Sequence, residues 1–353
     1  MTTPPDIGLL RLTAQRLAGP GPAGPAEVVG WLTAVQAQDL RGALTSVALR
    51  TTARSLAVVE AALDAGDVVR SWPMRGTLHL VAAGDLRWIL DLTSARMVAQ
   101  ARARRAELEL TEAVVERARA LAVEALTGGR RLGRRDLLAV WDGAGVATTG
   151  QRGYHLLAHL ALTGTLCFGP MSGGEQEIVL VDEWIPPSPR PDRDEALGEL
   201  ARRYFRGHGP ATVKDLVRWS GLTTTDVRTG LAVARPELAA IEVDGTEHLM
   251  APETPDLLAT LRAEAGDVFL LPGFDEFILG YGDRTAVVPA EHADRIVPGR
   301  NGMFQPTVVS AGRVVGTWKH TGRASNRTVL ATPFTAFTTQ VEAAIPQRYA
   351  DLP

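Results

Sequence analysis

Cysteine is almost absent. Cys167 stands alone among 353 residues, which excludes an intramolecular disulfide and any cysteine-rich zinc site. Lysine is nearly as scarce, with Lys214 and Lys319 the only two, so the positive charge is carried almost wholly by arginine, a bias that reads as GC-rich coding before it reads as function. No uninterrupted apolar run has the length of a membrane span. The opening Met1-Thr2-Thr3-Pro4-Pro5 lacks the charged and apolar regions of a secretory signal. The expectation is a cytoplasmic protein with no membrane partner. Excess positive charge is lacking too: a net charge of −3 gives no general attraction to polyphosphate, and any nucleic-acid surface has to be a local basic patch.

Several chemical signatures are also missing. No glycine-rich phosphate loop of the P-loop or Rossmann type is present, since Gly169-Pro170-Met171-Ser172-Gly173-Gly174 falls between expected strands and not ahead of a helix. No serine sits in a nucleophile elbow. His155 and His159 lie four apart on an expected helix and could supply two metal ligands, but no third ligand and no His-Glu-x-x-His signature accompany them. The acids of Phe274-Asp275-Glu276 and Asp283-Arg284 match no metal-site spacing, and pairing with Arg284 or capping of backbone amides is the better use for them. Neither a metal nor a cofactor is expected.

What is present is a supersecondary plan that occurs three times. At this length the chain can bury two or three cores. Helices are expected over Leu9–Leu17, Pro25–Asp39 and Ser55–Ala65, followed by strands Val68–Trp72 and Thr77–Val81 about the turn Pro73-Met74-Arg75-Gly76. A long helical pair, Asp85–Leu126, leads to Arg134–Trp141, Gln151–Leu162, and strands Thr165–Phe168 and Ile178–Val181. After Trp184-Ile185-Pro186-Pro187-Ser188-Pro189-Arg190-Pro191, whose prolines favour an extended connection, come Asp194–Phe205, Thr212–Ser220, Thr224–Leu231 and a hairpin turning at Asp244-Gly245. Beyond it, Asp267–Leu271, Phe277–Tyr281, Thr307–Ser310 and Arg313–Lys319 read as strands, with Ala311-Gly312 a hairpin turn. The segments are therefore 1–83, 84–183, the linker 184–191, 192–252, and a β-rich end at 253–353, in an α+β and mainly helical fold.

The run Gln36-Ala37-Gln38-Asp39 carries the most chemical information. Two neutral amides flanking one small residue make poor bases but good holders of water, because each donates and accepts at once. On a regular helix, residues two apart face nearly opposite ways, so both could serve one site only where the helix frays or lines a channel. Gly42 reads as a helix-end signal a few residues on. The alternative is that one glutamine packs and the other is a solvated helix-end residue.

The context is Trp31-Leu32-Thr33-Ala34-Val35 ahead of this run, Leu40-Arg41-Gly42-Ala43 after it, Ser71-Trp72-Pro73-Met74-Arg75-Gly76-Thr77-Leu78-His79-Leu80, Leu271-Pro272-Gly273-Phe274-Asp275-Glu276 and Asn301-Gly302-Met303-Phe304. Over nearly the whole chain these resemble the AlkZ-like DNA glycosylases, also described as winged-helix DNA-binding domain proteins, and their Gln-x-Gln branch in particular. The resemblance implies three tandem winged-helix motifs around a channel, a DNA-touching β-hairpin that it does not assign, and catalytic duty for Gln36 and Gln38. It implies no fixed duty for Asp39. As a family expectation the substrate is an N7-alkylated purine in double-stranded DNA, including bulky adducts or interstrand crosslinks, in repair or in self-resistance to an alkylating natural product.

The chemistry agrees with weak catalysts. Alkylation at N7 places positive charge on the purine and makes it a good leaving group, so oriented dipoles and a held water suffice. Neither amide takes a proton at neutral pH, which leaves proton loss late or passed on, with Asp39 and His79 as auxiliary candidates. Local cation clusters supply the candidate DNA contacts: Arg75 in the first hairpin, Arg130, Arg131 and Arg134 ahead of a helix, and Arg313, Lys319 and Arg323 near the end. Two rivals compete with a monomeric glycosylase, a winged-helix transcriptional regulator and a noncatalytic damage binder; neither would leave abasic sites.

Overall fold

The computed structural model describes residues 5–322 and 327–353, so Arg323 lies outside the described residues. The chain divides into two compact units, one made of the residues up to Val58 together with Leu197–Pro353, the other of Val59–Ala196. Both combine helices with antiparallel strands, and helix predominates.

In the Val59–Ala196 unit, Val68–Met74 pairs with Thr77–Ala82 on one side and, through Arg70 opposite Phe168, with Leu166–Ser172 on the other; Leu166–Ser172 pairs in turn with Glu175–Leu180. Helices Leu86–Gln100, Glu112–Leu126, Arg134–Gly143 and Arg152–Leu162 enclose a core of Trp72, Leu121, Trp141, Leu156, Leu160 and Phe168. Trp141 is wholly buried and its indole N–H donates to the Ala118 carbonyl at 2.9 Å, so the ring brings no unpaired donor into that core. Over Asp85–Leu126, where a long helical pair is expected, Leu86–Gln100 and Glu112–Leu126 are joined through the short helix Arg102–Glu107; Glu109 takes φ +53, and Thr111 then caps Glu112–Leu126 by accepting from Val114 N–H.

The other unit ends in a four-stranded antiparallel sheet ordered Thr328–Pro333, Arg313–Thr321, Thr307–Ser310, Val268–Leu271. Alternate residues of its inner strands face two different cores. Val268, Leu270 and Val308 pack with Trp318, Val341 and Ile345 of the closing helix Thr339–Ala350, while Leu271 and Val309 join Leu12, Leu49 and Phe277 on the opposite side. Four two-residue turns, Arg75-Gly76, Gly173-Gly174, Asp244-Gly245 and Ala311-Gly312, have both central residues at positive φ (54 and 69, 58 and 86, 48 and 71, 50 and 74). That is the geometry whose twist matches the flanking strands and that places glycine second. No helix among the described residues is long and apolar enough to cross a membrane.

Three expectations need correction. The helix expected over Pro25–Asp39 is Pro25–Leu32 only, and a further helix, Leu40–Ala48, follows it. Gly42 does not end a helix; it lies in the first turn of Leu40–Ala48 and donates its N–H to Asp39 at 3.2 Å. Phe277–Tyr281 is not a strand, because Asp275 caps a short helix Glu276–Leu279 by accepting from Phe277 N–H at 2.9 Å. Its residues are all buried, and a continuous apolar run has no period to separate helix from strand. The β-rich end at 253–353 also carries helices Thr254–Ala265 and Thr339–Ala350.

Candidate active site

Pro25 at the first helical position and Glu27, whose carboxylate accepts from the N–H groups of Ala23 and Gly24, start the helix that leads to the glutamines. It stops at Thr33, a buried β-branched residue at φ +67 whose hydroxyl has no hydrogen-bond partner among the described residues. Such a conformation costs on the order of 1–3 kcal/mol and persists only where the surroundings impose it. The chain then runs extended through Val35–Gln36 until Asp39 caps Leu40–Ala48.

Val35 and Gln36 form a two-residue strand, and Gln38 and Asp39 lie in a bend, so the helical spacing that would set residues 36 and 38 on nearly opposite faces does not apply. Ala37 is wholly buried, Gln36 is 8% exposed and Gln38 is exposed. Gln36 is thus set close to the core and Gln38 toward solvent.

Behind the run lies a buried polar network that sequence reasoning missed. Gln36 N–H donates to Glu276 Oε1 at 3.1 Å, and Glu276 Oε2 accepts from the Trp219 indole at 2.9 Å. One residue earlier, Asp275 receives both guanidinium nitrogens of Arg50, at 2.8 and 2.9 Å, and the Ser46 hydroxyl at 2.6 Å. The Arg50 and Asp275 side chains are wholly buried. Arg50 also donates to the Gln15 carbonyl and side chain. The adjacent acids thus grip the chain on both sides of the glutamines, Glu276 at residue 36 and Asp275 in the following helix. Asp275-Glu276 stood out in the sequence as an acid pair, but the ion-pair partner is Arg50 and not Arg284, whose Nε donates to the Ile278 carbonyl. A separation of 225 residues hides that pairing from any local pattern.

Residues 29–352 match the family described as DNA glycosylase AlkZ-like. The chain belongs to that family. An interstrand DNA cross-link repair glycosylase of Streptomyces sahachiroi is 30% identical over 332 residues, which are 87% of this chain and 84% of that one. The solved structure of Streptomyces sahachiroi DNA glycosylase AlkZ aligns with a TM-score of 0.81 at 25% identity, covering 99% of this chain and 96% of the other. As an AlkZ-like protein the chain is a DNA glycosylase.

The remaining candidate residues have mixed surroundings. His79 is wholly buried, with Nδ1 2.9 Å from the Thr77 carbonyl and Nε2 3.1 Å from Arg75, so Nδ1 carries the proton and the Arg75 guanidinium donates to Nε2. Arg130 donates to the Glu124 and Thr127 carbonyls and closes the end of Glu112–Leu126, and Arg131 is 3.6 Å from Glu177. Arg134 and Arg313 are exposed. Lys319 and His320 are exposed on the Arg313–Thr321 strand, and the His320 pKa is lowered by desolvation first and then by the charges of Arg327 and Arg41. Arg41, three residues past Gln38, therefore shares a positive field with that strand. Cys167 is buried and its thiol is pushed up to about 12, which removes it as a nucleophile.

A groove of about 1050 Å³ lies along helices Val213–Ser220 and Thr224–Ala234, lined by Lys214, Arg218, Arg228 and Arg284 among others; neither glutamine lines it. The helix-turn-helix thus has more cations at hand than Arg228 alone. Among the described residues no group of three or more His, Cys, Asp or Glu could hold a metal.

Proposed function

We propose that this protein is a monofunctional glycosylase that releases N7-alkylated purines from double-stranded DNA, with Gln36 and Gln38 holding the attacking water and the deoxyribose. The observation that carries the reading is the break between helices Pro25–Leu32 and Leu40–Ala48, which puts Gln36 on a two-residue strand held at its N–H by Glu276 and leaves Gln38 exposed two residues on. The water oxygen forms a bond to C1′ as the bond from C1′ to N9 breaks. The electron pair of the broken bond stays on the purine and cancels its positive charge, so no acid is needed at the leaving group. Positive charge grows on the sugar, where amide oxygens aimed at it favour the transition state. The water proton departs to solvent or to Asp39. With only Lys214 and Lys319 in the chain, and neither near the run in sequence, a hydrolytic product, the abasic site, is favoured over a Schiff base.

Three winged-helix motifs fit the order of elements. Helices Glu112–Leu126, Arg134–Gly143 and Arg152–Leu162 precede the hairpin Leu166–Ser172/Glu175–Leu180, and Leu132, two residues before the middle helix, bridges to Ile178 of that hairpin. Helices Arg193–His208, Val213–Ser220 and Thr224–Ala234 precede the hairpin Ala239–Val243/Thr246–Met250, and Ala211, again two before the middle helix, bridges to Leu249. Helices Pro25–Leu32, Leu40–Ala48 and Leu56–Asp64 precede Val68–Met74/Thr77–Ala82, with Val35–Gln36 in the corresponding place in the chain. Gln36 thus occupies the short-strand position of the first motif, with Gln38 two residues on. The exposed Arg41, Lys319 and Arg327 are the DNA-contact candidates that best fit this site, and Arg134 and Arg313 stay in the set as exposed cations. The cross-link repair named for the Streptomyces sahachiroi relative extends the proposed substrates to crosslinked alkylpurines.

The test is base release from a duplex carrying one N7-methylguanine. Gln36→Ala with Gln38→Ala is expected to abolish release while duplex affinity and thermal stability persist. A folded double variant that still excises the base overturns the assignment.

A further inference from the structure

We infer that Glu276 is a positioning residue, which sets Gln36 and Gln38 by holding the Gln36 main chain; this rests on the proposed role of the two glutamines. Glu276 is wholly buried, and three N–H groups converge on it: Gln36 N–H at Oε1, and the Trp219 indole and His208 Nε2 at Oε2, at 2.9 and 3.3 Å. His208 Nδ1 is buried with no hydrogen-bond partner among the described residues. A proton there would be a buried unsatisfied donor, whereas a proton on Nε2 is aimed at Glu276 and satisfied by it. The ring is held in place by stacking on Tyr204 at 4.7 Å.

The requirement for a carboxylate follows from the donors. An indole N–H can only donate. An amide at position 276 has one oxygen and one NH₂, so it either turns its NH₂ toward the Trp219 N–H or gives up the Gln36 N–H. A buried donor is left facing a donor either way. The loop is also strained in a way that serves this delivery. Phe274 takes φ +62, unusual for an aromatic residue, immediately before the two acids. On the preceding side, a side chain at Gly273 would come within 2.6 Å of the Phe304 carbonyl, which fixes the approach of the chain. Because only Ala37 separates Gln36 from Gln38, a shift of the backbone at residue 36 carries to both side chains, and a misplacement of about 1 Å can cost on the order of 100-fold in rate.

Glu276→Gln in the full chain is expected to slow single-turnover release of N7-methylguanine by about tenfold or more with duplex affinity unchanged. Adding Trp219→Phe removes the opposing donor and lets the amide oxygen face Gln36 N–H; its NH₂ then meets His208 Nε2 only if the ring moves its proton to the partnerless Nδ1, so the rate is restored in part. A merely structural role predicts rate loss that tracks lost folded protein and no such rescue. In the unmodified protein the Gln36 amide hydrogen is expected to exchange slowly with solvent, a measurement that stands even if the variants fail to fold. A folded E276Q variant at full rate, a double variant that folds without regaining rate, or fast exchange at Gln36 overturns the inference. Excision lost in the Gln36/Gln38 double variant but kept in E276Q sinks this inference alone, whereas excision kept in that double variant sinks the reading beneath it.

Discussion

The unit built from Val59–Ala196 buries no Asp, Glu, Lys or Arg, whereas the unit that carries Gln36 buries Arg11, Arg50, Asp215, Asp275 and Glu276 among its described residues. In the first, apolar side chains such as Trp72, Trp141 and Leu156 fill the interior, and stability there comes from area removed from water. In the second, each buried charge has lost its hydration and recovers it only through partners in fixed directions. Replacing such a pair with well-packed apolar groups is often neutral or stabilising, so net stability is a poor reason for five charged groups to be inside. Directional contacts are the better reason: Glu276 and Asp275 each hold a backbone or side-chain group beside the Gln36–Gln38 run. The unit with the costlier interior is the one in which position matters to chemistry.

Removing one partner from the charged interior is the strongest way to break the comparison. Arg50→Ala leaves Asp275 buried without its bidentate partner, and the expected loss is about 3–5 kcal/mol of unfolding free energy, read by urea denaturation. A loss below about 1 kcal/mol, the range of an exposed pair, would mean that water reaches the network and that the two interiors do not differ in kind. Leu156→Ala in the apolar unit is expected to cost about 2–5 kcal/mol through its cavity. The two variants should part in activity: base release per folded molecule stays unchanged for L156A and falls for R50A, whose lost contacts border the glutamines. Equal specific activity in both would remove the functional meaning from the contrast.

Much of this was legible in local patterns, and what was not is long-range. The turn pairs Asp244-Gly245 and Ala311-Gly312 announce their hairpins because the required backbone angles select glycine at a fixed place. The helix-turn-helix at Val213–Ser220 and Thr224–Ala234 is marked by capping boxes at Thr212 with Asp215 and at Thr223 with Asp226. By contrast the helix stop at Thr33 has no local signal, since a β-branched residue at positive φ is imposed by its surroundings and not by its own preference. Reading through it turned a two-residue strand and a bend into a helix and made the Gln-x-Gln spacing appear awkward. Likewise, Asp39 reads as a general-base candidate beside two amides, although as residue three ahead of Gly42 it also meets the N-cap pattern for Leu40–Ala48.

Asp39 gives a smaller and sharper test within the charged unit. Asp39→Ala removes the acceptor of Gly42 N–H and is expected to cost about 1 kcal/mol. Asp39→Asn keeps a side-chain oxygen for the cap while lowering its basicity, and we expect both stability and base release to be retained. A tenfold or greater rate loss in D39N with the fold intact, a deficit of about 1.4 kcal/mol in transition-state stabilisation, would instead give Asp39 the water proton.

A test of a different kind lies in the apolar unit, where pH provides the probe. Burial first, and then the charges of Arg105 and Arg119, hold the His159 imidazole below its usual 6.5, at about 4. In the unfolded chain that ring takes up a proton near pH 6.5, but in the folded unit it resists until about pH 4, so protons favour unfolding in between. The contribution is therefore fully present above pH 6.5 and is lost progressively as pH falls toward 4. Thermal unfolding followed from neutral to acidic pH should show a decline over that window that is shallower in His159→Gln. Carboxylates that titrate below the window cannot mimic a difference confined to it, and identical slopes for the two proteins would show that His159 protonates in place, leaving the apolar interior more open to charge than its residues suggest.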